Sequence, residues 1–87
     1  MGVVKVRVPS LLAEQAGGQK EFELEAPTVG AALRALPVRD LLFDERGELR
    51  PLVNVYVDGE DVRGGGGIDT ELRGGETVRV VAAVAGG

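Results

Sequence analysis

The sequence predicts a small two-layer α+β domain, with one short helix packed on one face of a mixed sheet of four to five strands. Three observations point there. Apolar and charged residues alternate near both ends of the chain and again in its middle, as half-buried strands require. Between the second and third of these stretches the apolar spacing changes to three and four, the period of a helix. Finally, the 87 residues are 44% apolar, enough for one core. At that length about two-thirds of the unfolded chain's surface can be buried.

Val4, Val6 and Val8 alternate with Lys5 and Arg7, giving a first strand that stops at Pro9. Ser10 to Gln19 reads as a loop with one apolar turn, broken at Gly17-Gly18. From Lys20 to Glu25 the alternation resumes, with Phe22 and Leu24 inward and Glu21, Glu23 and Glu25 outward. The short glycine-containing gap makes these two strands an antiparallel hairpin. Pro27-Thr28 then opens a helix that Thr28 caps, with Val29, Ala32, Leu33 and Leu36 on one stripe. Pro37 ends it, because its ring clashes with the preceding turn and it has no N–H. Val38 to Phe43 forms another turn, and residues 44–48 form a charged loop.

Leu52 to Val57 is the strongest strand pattern in the chain, β-branched at Val53, Val55 and Val57. Asp58-Gly59 turns it into a short return strand around Asp61 to Arg63. Gly64 to Gly67 reads as a flexible connector, and Arg73-Gly74-Gly75-Glu76 as a turn. Thr77 to Ala82 is the last strand, with Val78 and Val80 on one face and Arg79 and Val81 on the other. The expected domain spans 1–82, followed by a flexible tail over 83–87.

Composition removes whole classes of chemistry. The chain has no cysteine and no histidine. It therefore has no thiol nucleophile, no histidine base, no disulfide and none of the usual ligands for zinc or iron–sulfur centres. With 14 acidic and 10 basic residues its net charge is −4, which disfavours nucleic acid as a partner. No apolar run approaches the roughly 20 residues of a membrane span, and the N-terminus lacks the pattern of a secretory signal. A cytoplasmic location is expected. The four-glycine run is no phosphate loop, since Ile68-Asp69-Thr70 follows it in place of the Lys and Ser/Thr that chemistry needs. Asp58, Glu60 and Asp61 lack the alternating ligands of a calcium loop and read as a solvated hairpin tip. No metal site is expected.

Two features remain. Lys5, Arg7 and Arg79 point away from the predicted core, with Val81 and Tyr56 beside them. They make either an ordinary solvated face or a docking surface. The second feature is the end of the chain. After Arg79 no charged side chain follows, and the sequence stops on Gly86-Gly87. Such a slender end suits a narrow enzyme channel, because residues without a Cβ let a site close around the backbone. The reactive group would be the terminal carboxylate, which ATP can activate as an acyl-adenylate. A frayed, glycine-rich end is the plain alternative.

The ending Val84-Ala85-Gly86-Gly87, the preceding Glu76-Thr77-Val78-Arg79-Val80-Val81 and the Gly74-Gly75 turn resemble the ThiS/MoaD family of ubiquitin-like sulfur carriers. The resemblance extends through Val4-Lys5-Val6 and Pro27-Thr28-Val29. Within that family, Gly17 to Lys20 and the block Val53 to Arg63 look most similar to carriers of the cysteine-biosynthesis branch. Pro37 makes the helix shorter than the family pattern. The resemblance implies a β-grasp fold and a protein cosubstrate, with no cofactor of its own and no catalytic residue. An E1-like adenylyltransferase would use ATP to adenylate Gly87, and a sulfur donor would convert it to a thiocarboxylate. That group would pass sulfur to a synthase, in the cysteine branch a pyridoxal-phosphate enzyme, with a metallopeptidase releasing the product. Other acceptors open to such a carrier are molybdopterin, thiamine, tRNA thiolation and sulfur-containing secondary metabolites; conjugation to lysine is a further use. Gly87 and Gly86 are the expected site, and Tyr56, Arg79, Val81 and Val84 the expected docking residues.

Overall fold

A computed structural model describes residues 2–82 of the chain. Five strands form one mixed sheet: β1 (Val3–Arg7), β2 (Glu21–Glu25), β3 (Val53–Val57), β4 (Glu60–Asp61) and β5 (Thr77–Ala82). Their spatial order is β2-β1-β5-β3-β4, so the last strand of the chain is the middle strand of the sheet. β5 runs parallel to β1 from Lys5 opposite Thr77 to Arg7 opposite Arg79. It runs antiparallel to β3 from Val53 opposite Ala82 to Val57 opposite Val78. The β1–β2 hairpin is antiparallel as its alternation predicts, with Val6 opposite Phe22.

The inner face of the sheet carries Val4, Val6, Val53, Val55, Val78 and Val80, all buried. Against them packs α2 (Val29–Arg34), whose Val29, Ala32 and Leu33 are inaccessible to solvent. The Thr28 hydroxyl accepts a hydrogen bond from the Ala31 N–H at 3.2 Å, the cap expected from the sequence. The start of the helix is tied to the segment entering β5: Val29 N–H donates to the Thr70 carbonyl (3.0 Å) and Leu72 N–H to that of Pro27 (2.9 Å). No buried side chain among the described residues is polar or charged. Among the described residues, no helix is long and apolar enough to cross a membrane.

Three elements differ from expectation. Besides α2 the described residues form two other short helices, α1 (Ser10–Glu14) and α3 (Arg39–Leu42). α1 forms where a loop is expected because Leu12 and Ala13 reach the core and Pro9 starts the turn with its carbonyl. α3 realises the expected turn beyond Pro37 and buries Leu42. The return strand is confined to Glu60–Asp61. Asp61 Oδ1 accepts from Arg63 N–H at 2.9 Å and turns the chain into a 3₁₀ turn, Val62–Gly64, that buries Val62. The four-glycine segment is likewise held in place rather than a free connector. A second 3₁₀ turn spans Gly67–Asp69, the Thr70 hydroxyl donates to the Gly67 carbonyl at 2.7 Å, and Ile68 packs on the core. The tail expected over 83–87 lies outside the described residues.

The chain's first and last thirds meet where backbone touches backbone. Gly2 N–H donates to the Arg73 carbonyl (3.0 Å) and Gly75 N–H to that of Val3 (2.8 Å). Gly74 lies between them at φ +121°, and a Cβ placed on it would stand 2.6 Å from the Gly2 Cα. Neither backbone can give way without breaking these bonds. Gly17 has φ +72° but open space around it. Gly74→Ala is therefore expected to cost about 2–4 kcal/mol and Gly17→Ala about 1 kcal/mol, measured as loss of unfolding free energy in urea. Equal losses for the two would show that the contact at Gly74 is not the constraint.

Candidate functional site

The site grows from β5, because this strand leads directly to the C-terminal residues. Val78 and Val80 lock it to the core, so its odd-numbered residues face outward. Arg79 stands opposite Tyr56 on β3 and beside Arg7 on β1, and Val81 stands opposite Asn54. Tyr56, Arg79 and Val81, expected as docking residues, thus share the outer sheet face. Val84, the fourth of that set, lies outside the described residues, as do Gly86 and Gly87.

The basic patch is smaller than the sequence suggests. Lys5 and Arg7 both approach Glu21 of β2, at 4.0 Å and 3.7 Å. Arg79 has no ion-pair partner among the described residues. The free positive charge on this face is centred on the strand that carries the C-terminus. The Glu21 contacts were legible only as alternation; which cation meets which carboxylate depends on the hairpin register.

Two neighbours escaped the sequence reading. Arg63, from the 3₁₀ turn after β4, donates to Asn54 Oδ1 at 2.6 Å and to the Arg50 carbonyl at 3.0 Å. It braces β3 where Asn54 faces Val81. No local pattern marks this, since the partners are 9 and 13 residues away. The second is an apolar hollow of about 320 Å³ at the end of β5, lined by Leu41, Pro51, Leu52, Val53 and Ala82 with Asp44 and Arg50 at its rim. Leu52 is 51% exposed, and β3 begins only at Val53, one residue after the strand expected from the sequence.

The turn into β5 is held by Glu76, whose carboxylate accepts from the Arg73 N–H at 2.8 Å and the Gly74 N–H at 2.6 Å. These two bonds, Arg73 first, hold its pKa below the ordinary 4.5. At the same entrance, on the β3 side, Asp58 sits at φ +49° and its Oδ1 accepts from Thr77 N–H at 3.0 Å. β5 is therefore fastened at its entrance by side-chain carboxylates on both sides. The described residues offer no group of three or more acidic side chains placed to hold a metal. What the arrangement does is hold the start of β5 firmly in the sheet.

A mixed sheet with the C-terminal strand at its centre, grasping one principal helix, defines a ubiquitin-like β-grasp protein. Comparison with known proteins narrows the class. The profile of the ThiS family matches residues 6–87, and the chain belongs to that family. It is 37% identical to the sulfur carrier protein CysO of Mycobacterium tuberculosis, over 97% of this chain and 98% of the relative. The crystal structure of that CysO superposes with a TM-score of 0.82, covering 93% of this chain and 99% of the other. A structure of the Amycolatopsis orientalis BexX/CysO complex gives a TM-score of 0.81 at 33% identity, covering 97% and 99%. The small archaeal modifier protein 1 of Methanosarcina acetivorans is similar at 27% identity and a TM-score of 0.82, covering 100% and 98%.

Because Glu76 has a depressed folded-state pKa, its contribution to stability is complete above the unfolded value near 4.5. It is lost as pH falls through the lower folded value. Urea midpoints should thus drop between neutral pH and pH about 3, and Glu76→Gln should lower the neutral midpoint while flattening that acid limb. An unchanged acid limb would remove Glu76 from this role.

Proposed function

We propose that this chain is a sulfur carrier whose working group is the carboxylate of Gly87. The observation that carries the reading is ThiS-family membership running through to the last residue, with Val84-Ala85-Gly86-Gly87 inside the matched segment. An E1-like adenylyltransferase joins that carboxylate to the AMP moiety of ATP and releases pyrophosphate. A sulfur donor then displaces AMP, leaving a C-terminal thiocarboxylate. The thiocarboxylate is an anionic sulfur nucleophile, so it can attack an electrophile bound in a partner enzyme. Gly86 and Gly87 allow that enzyme to close around the backbone on both sides. The chain itself contributes no catalytic side chain and is a cosubstrate.

Within this class we place the chain in cysteine biosynthesis. The sulfur is delivered to an aminoacrylate on a pyridoxal-phosphate synthase, and a metallopeptidase then cuts after Gly87. The support is the likeness of the middle block, Val53 to Arg63, together with the carriers named CysO among the relatives. Tyr56, Arg79 and Val81 form the docking face, with Val84 following in the chain. The outward register of the first three supports that assignment. The likeness to an archaeal modifier protein favours one second reading, in which the same activated carboxylate is joined to a lysine of a target.

Deleting Gly87 should leave thermal unfolding unchanged and abolish ATP–pyrophosphate exchange with the activating enzyme. Intact mass spectrometry of protein recovered from cells should find one oxygen replaced by sulfur. Undiminished exchange by the truncated chain would end the carrier reading, and tail-linked conjugates without a sulfur-exchanged form would establish the modifier.

A further inference from the structure

β5 is paired unequally on its two sides. Towards β3 the ladder runs through to Ala82, whereas towards β1 it stops at Arg79. Lys5 N–H donates to the Glu76 carbonyl on one side, and Asp58 N–H donates to the Thr77 carbonyl on the other, each at 3.0 Å. By the two-residue alternation of a strand, even-numbered residues of β5 direct their backbone groups towards β1. Continued by two residues, this register takes Arg7 to Val78 and Pro9 to Val80. Proline has no N–H to give the Val80 carbonyl, and at Pro9 the chain turns away into α1. The Val80 carbonyl and the Ala82 N–H thus face a side where the described residues provide no strand.

That side is open. A groove of about 440 Å³ lies there, between Arg7, Val8 and Pro9 on one wall and Arg79, Val80 and Ala82 on the other. Its outer rim is basic in a chain of net charge −4. Arg79 has no ion-pair partner among the described residues. The Arg7–Glu21 contact is long, at 3.7 Å, and both side chains are largely open to solvent, so it is weak and readily exchanged.

We propose that the Val80–Ala82 edge receives an extended segment of the enzyme that handles the C-terminus. The segment adds to the sheet as a strand in the place Pro9 leaves vacant. It carries a carboxylate side chain opposite Val81, within reach of Arg79 on the diagonal and Arg7 in line. One residue of the segment donates to Val80 and accepts from Ala82, continuing the series that Lys5 begins at Glu76. A partner held this way grips the strand immediately before the residues it must act on. The identity of the enzyme rests on the carrier reading; the edge and its charge preference do not.

The probe is an acetylated, amidated pentapeptide, Thr-Val-Glu-Val-Thr, with Thr-Val-Lys-Val-Thr as its charge-reversed form. Amide hydrogen exchange of the full chain is followed by NMR without ATP, so failure of adenylation cannot affect the result. Near saturation the Glu peptide should slow exchange at Ala82 about fivefold and leave Val81, which faces β3, unchanged. Arg79→Glu should lose that protection with the Glu peptide and regain it with the Lys peptide. The regain also establishes that the variant is folded. Protection confined to the β2 edge, no protection at Ala82, or equal binding of both peptides by Arg79→Glu would each overturn the proposal.

Discussion

The two-sided pairing of β5 is the constraint on which the rest of this structure depends. A strand at the centre of a sheet must satisfy backbone groups on both sides and bury one face completely. Thr77 to Ala82 does this with Val78 and Val80 inward and two different kinds of ladder at its edges. The parallel ladder to β1 joins the beginning of the chain to its end. The antiparallel ladder to β3 brings in the middle. Removing β5 would leave a hairpin and a separate short pair, neither with enough apolar area to stand alone. The same strand leads into the C-terminal residues on which the proposed function rests, so the element that completes the fold also precedes the proposed site.

That coupling explains how the entrance to β5 is built. Glu76 ties the preceding turn, Asp58 ties the first residue of the strand, and the Gly2–Gly74 contact brings backbone against backbone where no side chain would fit. Individually these are modest interactions at an exposed rim. Together they fix where the strand starts, and a strand with a fixed start and a two-residue repeat has a fixed register throughout. The outward set of Tyr56, Arg79 and Val81 follows from that register. The far end is treated differently: Pro9 withdraws β1 early and leaves backbone groups of β5 open on one side. A strand tethered at its entrance and accessible at its exit is suited to a protein whose last residues are handled by others.

Much of this was legible locally. The valine alternation of β1, β3 and β5 and the Thr28 cap depend on neighbours within a few residues and match the structure, and α2 ends ahead of Pro37, at Arg34, with Leu36 beyond it. The misreadings share one cause. Ser10–Glu14 lacks a long amphipathic stripe, yet it becomes helical because Leu12 and Ala13 find the core beneath them. The glycine run Gly64 to Gly67 has no pattern of its own, yet Val62 and Ile68 on either side anchor it. Arg63 has no sequence neighbour to announce that it would reach Asn54. In each case the deciding contact lies outside the local window.

The absence of cysteine and histidine and the terminal diglycine were determined by sequence alone, because a reagent that is not in the chain cannot be folded into existence and a missing Cβ is missing in any conformation. Those two facts exclude thiol and imidazole chemistry in any fold the chain adopts, and the carrier proposal rests on the diglycine. The tertiary structure decided the rest: that the last strand is the central one, that Glu21 draws Lys5 and Arg7 while Arg79 has no ion-pair partner among the described residues, and that Pro9 opens one side of Val80 to Ala82. Strand order and cross-strand charge pairing are set by long-range register. Register is a property of the assembled sheet, which no single stretch of residues can specify.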